Sequence, residues 1–235
     1  GEQFRNMEAQ GRITLVPHDP NYPVHVAMDI GYDDDMAMWW FQVIGNEVRI
    51  LECYSDSGMD VDWYCSVLTG RDIKINFIHD RLEVEYGDSN DFSFRQAYNY
   101  GSINLPHDAK AKTLAAKGKS VEEQFAKIFG WNKVRIVPRL SIEDGIQAVR
   151  RMLKKTVIDA SCDQTGVEAC RQYHREWDDD KKMFRDRPEH DWTSHYADGM
   201  RYLAIAYSTD KLPKELVPPR YEQDQTFKEK MRKVR

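Results

Sequence analysis

The chain has 235 residues, 41% of them hydrophobic and 31% charged, which is typical of a globular protein and excludes a largely disordered one. This length allows one large domain or two small ones, and we favour one. The net charge of −5 argues against nucleic-acid binding through an overall basic field. No apolar run approaches the roughly 18 residues of a membrane span, so we expect no membrane association.

Charge is unevenly distributed along the chain. Residues 211–235 contain eight Lys or Arg against four Asp or Glu, so a basic tail follows an acidic body. Such a body fits a carboxylate-lined metal site beside local patches that bind a phosphate backbone, although a solvated acidic surface is the ordinary explanation.

Neither the start of the chain nor its cysteines indicate secretion. The first residues lack the pattern of a signal peptide and an initiator Met, so we expect a processed chain or an excised domain. The four cysteines have no CxxC spacing, which favours reduced thiols in a cytoplasmic setting.

The amino-terminal half predicts three consecutive antiparallel strands. Residues 1–23 are rich in Pro and predict a linker with one edge strand. Residues 24–30 form an apolar strand that carries Asp29 near its end, before Gly31 and an acidic turn at 32–35. Two apolar runs on either side of Gly45 and Asn46 then predict a β-hairpin.

The remainder alternates between strand-like and helix-like segments. Pro106 ends one strand directly before His107 and Asp108, and Ser120 with Glu123 forms a capping box that opens a helix. The further predictions are helices at 61–68, 120–129, 141–153, 166–177 and 192–207, strands at 74–78, 102–105, 134–137 and 157–160, an insertion with hairpin character at 80–100, and a charged connection at 178–188.

This order predicts a mixed-sheet α/β fold in which three antiparallel strands precede parallel ones and helices cover both faces. One domain, residues 24–207, is expected between the linker 1–23 and a basic, partly irregular tail, 208–235.

Three acids are candidates for metal chemistry. Asp29 and Asp108 lie at predicted strand ends, and Asp198 lies in the last helix, away from the apolar face of that helix. Oxygen ligands suit hard divalent cations such as Mg²⁺ and Mn²⁺. Two such cations held by three carboxylates can promote phosphodiester hydrolysis.

Several neighbours of these acids are candidates for supporting roles. His107, His195 and Asp191 could orient ligands or contact a phosphate, although structural hydrogen bonds explain them equally well. Four lysines could contact a DNA backbone or form a solvated face: Lys110, Lys112, Lys117 and Lys119.

Other catalytic motifs are missing from the sequence. The segment Lys117-Gly-Lys-Ser120 is not a phosphate loop, because position 113 is Thr and no strand precedes it. Neither GxSxG nor HExxH occurs, which removes the serine-hydrolase and zincin hypotheses.

Three motifs resemble the acidic motifs of the nuclease domain in the large terminase subunit of tailed double-stranded DNA bacteriophages. They are Met-Asp29-Ile-Gly31, Leu105-Pro-His-Asp108-Ala, and Ser194-His-Tyr-Ala-Asp198-Gly-Met-Arg201-Tyr, and the resemblance extends over about residues 11–207. It implies an RNase H-like fold with Asp29, Asp108 and Asp198 as catalytic, metal-binding acids.

The resemblance also implies a biological role. A terminase nuclease cuts concatemeric viral DNA when genome packaging begins and ends, using two divalent cations, Mg²⁺ or Mn²⁺. The implied partners are double-stranded viral DNA, the ATPase domain of the same subunit, the small terminase subunit and the portal. The implied location is the host cytoplasm at the procapsid, not the mature virion, and no ATPase activity is expected from this chain.

Two alternatives stay open. An RNase H-like resolvase or transposase would cut junctions or transfer strands. A non-catalytic assembly module that binds DNA or the portal would use the acids structurally, and they would then lie too far apart to share a two-metal site.

Overall fold

The computed structural model describes residues 1–31, 36–78, 81–87, 92, 95–112 and 116–208. The strands within this part are β1 Ile13–Thr14, β2 Val24–Asp29, β3 Met36–Ile44, β4 Glu47–Asp56, β5 Ile73–Ile78, β6 Arg81–Tyr86, β7 Tyr100–Leu105, β8 Val134–Ile136, β9 Thr156–Asp159, β10 Arg175–Asp178 and β11 Met183–Pro188. The α-helices are α1 Glu2–Ala9, α2 Val61–Thr69, α3 Val121–Phe129, α4 Ile142–Leu153, α5 Glu168–Gln172 and α6 Trp192–Ser208.

Seven strands form one mixed sheet in the order β1-β9-β4-β3-β2-β7-β8. Strands β2, β3 and β4 are antiparallel neighbours, whereas β7 runs parallel to β2 and β8 parallel to β7. On the other side, β9 runs parallel to β4 and β1 parallel to β9. Three antiparallel strands followed by parallel ones are the arrangement predicted from the sequence, and the RNase H-like fold is confirmed.

The sheet is buried on both faces because its central strands alternate between two apolar cores. Trp39 and Phe41 of β3 pack with α4 and α6 on one face, and Met38 and Trp40 pack with α2 and α3 on the other. All four side chains are fully buried. Helices therefore cover both faces, and the central strands form a rigid support for whatever lies at their ends.

The linker segment also contains a helix that the sequence analysis did not predict. Helix α1 buries Phe4 and Met7 in the core shared with α6, and β1 forms the predicted edge strand. The two apolar residues are three positions apart in an otherwise polar segment, which is too weak a pattern to indicate a helix. The division into linker, domain and tail stays a prediction, and the tail after residue 208 lies outside the described residues.

The predicted helix at 166–177 is wrong in its second half. A π-helical turn, Asp163–Val167, leads into α5, which ends at Gln172. The charged connection at 178–188 is instead part of an antiparallel hairpin formed by β10 and β11. Its cross-strand ion pairs, such as Arg185 to Glu176 at 2.7 Å, explain how so polar a segment forms strands.

The insertion at 80–100 does have hairpin character. Strand β6 pairs antiparallel with β5, and these two strands form a sheet separate from the main one. All four cysteines are free thiols. Among the helices of the described segments, none is both long and apolar enough to cross a membrane.

Candidate metal-binding active site

Asp29 is the last residue of the central strand β2 and pairs with Ala37 of β3. Its side chain is half-buried at the carboxyl end of the strand. The pKa of Asp29 is raised to about 7, chiefly by burial and then by the charge of Asp198, while Arg201 opposes the rise and Asp108 adds to it. Asp29 therefore lies close enough to both other candidate acids to sense their charges.

Helix α6 brings Asp198 to the same place through a close approach at Gly199. A Cβ atom at Gly199 would lie 3.1 Å from Cδ1 of Trp39 and 3.3 Å from the carbonyl oxygen of Ala37. Because Ala37 is the partner of Asp29 across the sheet, this contact places the adjacent Asp198 beside the end of β2.

Asp198 is ion-paired with Arg201, one turn along α6. Nη2 and Nε of the guanidinium lie 2.5 and 3.0 Å from the same carboxylate oxygen, Oδ1. Arg201 is 14% exposed and Asp198 28% exposed, so solvent screens the pair only in part. In the described part of the chain the second oxygen, Oδ2, has no such partner and is available to a ligand.

Asp108 reaches this edge from the neighbouring parallel strand. After β7 and Pro106, residues His107–Lys110 form a 3₁₀ turn in which Asp108 is exposed. Because β2 and β7 are parallel neighbours, their carboxyl ends lie at the same edge of the sheet. The structure thus brings the three predicted acids to one edge.

Of the two candidate histidines, His107 has the more unusual environment. Its Nδ1 atom is buried and has no hydrogen-bond partner within the described segments. A buried polar atom without a partner is costly, and the role of His107 at a phosphate stays a prediction. His195 instead packs edge-on against His190, with ring centroids 5.7 Å apart.

Asp191 has a structural role at the start of α6. Its Oδ1 accepts hydrogen bonds from the backbone N–H of Thr193 at 2.9 Å and from the Thr193 hydroxyl at 2.5 Å. Burial alone would raise the pKa of Asp191, but these bonds hold it below its ordinary value. These two contacts with Thr193 hold Asp191 at the start of α6, and its supporting role at the site stays a prediction.

The four candidate lysines lie between β7 and α3. Lys110 and Lys112 are exposed, and Lys119 is half-buried just before the helix. Lys117 donates a hydrogen bond from Nζ to the carbonyl oxygen of Phe77 at 2.6 Å, so it joins this loop to β5. Their contacts with DNA stay a prediction.

Two tyrosines belong to the same acidic environment. Burial raises the pKa of Tyr202 to about 12, and the charges of Asp29, Asp108 and Asp198 contribute to the rise. Burial and then the charge of Asp198 also raise the pKa of Tyr173, whose hydroxyl is buried without a partner among the described residues. Tyr202 is the last residue of the third sequence motif, whereas the sequence offers no signal for Tyr173.

Arg201 lies in the third sequence motif, but no role was predicted for it. Its spacing of three residues from Asp198 was the available signal, since side chains at that spacing meet on a helix.

The acids do not form a finished coordination shell. Within the described ranges, no group of three or more His, Cys, Asp or Glu side chains is arranged to hold a metal ion. The acidic turn at 32–35, a further candidate for metal contacts, lies outside those ranges. Three carboxylates nevertheless lie at one edge, and Arg201 pairs with only one oxygen of Asp198. Carboxylate oxygens are the ligands that a hard cation prefers.

Comparisons with known proteins give similarity at the level of structure alone. The fold is similar to that of the large terminase from a thermophilic bacteriophage: one crystal form has a TM-score of 0.58 at 15% identity, covering 88% of this chain and 44% of that chain. Another, in complex with ADP, has a TM-score of 0.55 at 16% identity, covering 86% and 44%. The P22 large terminase nuclease domain gives 0.48 at 14% identity, covering 83% and 87%.

Neither a protein-family profile nor a curated protein matches the chain. The chain spans less than half of the thermophilic-phage terminase, and at these identities the similarity establishes the fold alone. The resemblance to large terminases that the sequence motifs indicated is confirmed at that level: the chain has the fold found in a phage large terminase.

Proposed function

We propose that this chain is the nuclease part of a phage large terminase, a metal-dependent endonuclease that cleaves concatemeric viral double-stranded DNA when packaging begins and ends. The observation that carries the proposal is the meeting of Asp29, Asp108 and Asp198 at one edge of an RNase H-like sheet. Burial raises the pKa of Asp29 and of Tyr202, and the charges of the neighbouring acids add to both rises, which supports a shared cation site.

We propose that Asp29, Asp108 and the free oxygen of Asp198 hold two divalent cations, Mg²⁺ or Mn²⁺. Such a pair supplies the positive charge that promotes attack of water on a phosphodiester and stabilises the leaving oxygen. Asp29 would hold a cation in its deprotonated form. Arg201 holds Oδ1 of Asp198, which leaves Oδ2 for a ligand.

We propose that His107 contacts the scissile phosphate. It precedes Asp108 directly, and its buried Nδ1 lacks a partner in the described structure. With a hydrogen on Nδ1, the ring of His107 would donate a hydrogen bond to a phosphate oxygen. We also propose a supporting role for His195 on α6, whose ring contacts that of His190.

The proposal extends to the partners of a packaging motor. The large terminase of the thermophilic phage is in complex with ADP in one crystal form, and this chain corresponds to 44% of it. We infer that an ATPase domain belongs to the same subunit and that the small terminase subunit and portal join the assembly. On this account the protein acts in the host cytoplasm at the procapsid and leaves before the virion matures, and the chain itself has no ATPase activity.

The proposal is tested by incubating the purified chain with supercoiled plasmid and Mg²⁺ or Mn²⁺. We expect nicked and linear products. Asp29→Asn and Asp108→Asn should each lower the cleavage rate at least about 100-fold, because losing a metal ligand costs more activity than losing a residue that supports one. Asp179→Asn on the exposed β10–β11 hairpin is the matched control.

Other outcomes distinguish the alternatives. Preferential cutting of four-way junctions, or transfer of strands, favours a resolvase or transposase. Folded protein that cuts no DNA with either metal supports the non-catalytic assembly module.

A further inference from the structure

A basic groove runs along the outer side of α3, where the helix faces β6. Its cavity measures about 440 Å³ and is lined by seven side chains: Arg81, Leu82, Glu83, Lys119, Glu123, Lys127 and Trp131. The helix lies in the middle, with Lys119 just before its amino end and Trp131 just after its carboxyl end. The groove therefore extends over the full length of α3.

The three cations of this groove are free to bind an external anion. Arg81 and Lys127 are exposed and Lys119 is half-buried. Across the described ranges, none of the three forms an ion pair or donates a side-chain hydrogen bond. By contrast, Lys117 in the same loop already donates to the carbonyl oxygen of Phe77.

One of the two acids in the groove is already engaged. Oε2 of Glu123 accepts the backbone N–H of Ser120 at 2.8 Å, as part of the capping box of α3. That hydrogen bond, with help from Lys112 and Lys119, lowers the pKa of Glu123. Among the described residues, the groove therefore has three cations without an ion pair and two carboxylates, and Glu83 is its uncommitted acid.

Trp131 makes the groove more than a patch of surface charge. Its side chain is 63% exposed, although an indole is usually buried. In the part of the chain that the structure describes, its ring stacks on no other ring. An exposed ring at the end of a row of cations suits a polymer that carries both phosphates and flat bases, which is a nucleic acid.

The groove adjoins the proposed active site. Helix α3 packs against the 3₁₀ turn His107–Lys110 that carries Asp108, and it packs against β6 on its other side. The nine residues of α3 span about 13 Å at roughly 1.5 Å per residue. At roughly 3.4 Å per nucleotide along a strand, this length matches about four nucleotides.

We propose that the α3–β6 groove binds a DNA strand next to the catalytic edge, with phosphates on Arg81, Lys119 and Lys127 and an unpaired base stacked on Trp131. This deepens the proposed nuclease function and rests on it for the identity of the polymer. An unpaired base is available at an overhang or in a frayed segment, so the groove prefers DNA with a single-stranded stretch over blunt duplex.

The test measures binding of the full chain to fluorescent oligonucleotides by anisotropy, in EDTA so that no cleavage is required. Lys119→Glu/Lys127→Glu is expected to weaken binding of single-stranded DNA at least tenfold. The slope of log affinity against log salt should fall by about 1.4, at roughly 0.7 for each phosphate that is no longer neutralised. The charge-matched control is Lys154→Glu/Lys155→Glu, just beyond the carboxyl end of α4, and it should change binding less than twofold.

Two further variants separate the cations from the ring. Trp131→Ala should weaken binding of single-stranded DNA at least fivefold and leave blunt duplex within twofold, because stacking needs an unpaired base. Glu83→Gln should tighten binding of both, since it removes the uncommitted acid. Unchanged melting temperatures, together with the milder Lys119→Gln/Lys127→Gln pair, exclude misfolding as the cause of a loss.

Unchanged affinity in the charge-reversed pair would overturn the proposal, whether or not the protein cleaves plasmid. A Trp131→Ala variant that binds single strands like the parent would contradict the stacking contact. If the charge-reversed pair weakens binding of an acidic peptide as much as binding of DNA, and Trp131→Ala has no effect, the groove is a general polyanion surface instead. Cleavage without any of these binding effects would leave the nuclease proposal intact and refute the groove.

Discussion

Arg201 places two nitrogen atoms on a single oxygen of Asp198, with Nη2 at 2.5 Å and Nε at 3.0 Å from Oδ1. The other oxygen of Asp198 keeps its freedom to bind a ligand. The positive charge of Arg201 also lowers the pKa of Asp29, opposing the effects of burial and of Asp198. One arginine on α6 thus balances the charges of two candidate metal ligands.

Replacing Arg201 by Gln should raise the pKa of Asp29 above its value of about 7, because a nearby positive charge is lost while the negative charge of Asp198 stays. NMR titration of the carboxyl carbon of Asp29, without divalent metal, measures the effect. Arg151→Gln on the exposed side of α4 is the control and should leave the titration unchanged. An unchanged or lower pKa in Arg201→Gln would show that the ion pair has no influence on Asp29.

The raised pKa of Asp29 predicts a pH-dependent cost to folding. Its pKa is about 7 in the folded protein and about 3.9 in an unfolded chain. The folded state thus prefers the protonated carboxyl. The contribution of protonated Asp29 to the free energy of unfolding is complete below about pH 4 and is lost as the pH rises through about 7.

Asp29→Asn should therefore stabilise the metal-free protein at pH 8 by about 1–3 kcal/mol, and should change its stability little near pH 4.5. This range of free energy is smaller than the full equivalent of the pKa shift, because solvent screens the half-exposed side chain. Urea unfolding in EDTA at the two pH values measures the difference, with Asp179→Asn as control. Equal stability of variant and parent at pH 8 would contradict the placement of Asp29 among other acids.

Gly199 should tolerate no side chain without moving α6. A Cβ atom there meets Cδ1 of Trp39 at 3.1 Å, and that indole is held by a 3.0 Å hydrogen bond from Nε1 to the carbonyl oxygen of Tyr196. We expect Gly199→Ala to destabilise the protein by about 1–2 kcal/mol, because the strain exceeds the roughly 1 kcal/mol gained from replacing a helical Gly.

Gly145→Ala on α4 is the matched control in a urea unfolding experiment. Its Cβ would meet Cδ of Arg201 at 3.1 Å, but that atom belongs to a flexible stem that can shift. We expect this variant to be neutral or slightly stabilising. Equal effects of Gly199→Ala and Gly145→Ala on the free energy of unfolding would contradict a close approach of α6 to β3 as the contact that positions Asp198.

Much of the fold follows from local patterns that the packing reinforces. The alternation of β3 between two apolar cores and the turn at Gly45 predict the central hairpin correctly. The capping box at Ser120 and Glu123 predicts the start of α3, and both of its hydrogen bonds form. These elements were predictable because their local signals agree with their tertiary contacts.

Other elements depend on partners distant in the chain. The β10–β11 hairpin is stabilised by cross-strand charges such as Arg185 and Glu176, which in sequence resemble a solvated connection. Helix α4 is a second example: Gly145, Ala148, Met152 and Leu153 are buried, whereas Ile142 is 41% exposed. There the side chains of α6 decide which face packs, and no periodicity within α4 reveals that.

The three acids were predictable as candidates from their positions at strand ends and on α6. Their mutual charge effects were not, because those depend on how closely Gly199 allows α6 to approach β3. Tyr173 and the unpartnered Nδ1 of His107 likewise result from burial in the folded chain. Tertiary contacts thus determine the electrostatics of a site for which the sequence motifs indicate only the candidate ligands.

Anomalous diffraction from crystals soaked in Mn²⁺ above pH 8, where Asp29 is deprotonated, tests the central claim most directly. We predict two Mn²⁺ peaks between the carboxylates of Asp29, Asp108 and Asp198, with Arg201 still bound to Oδ1 of Asp198, and no peak pair in Asp29→Asn. Crystals of the parent protein with no Mn²⁺ at these acids, or with the ions bound elsewhere, would contradict the account.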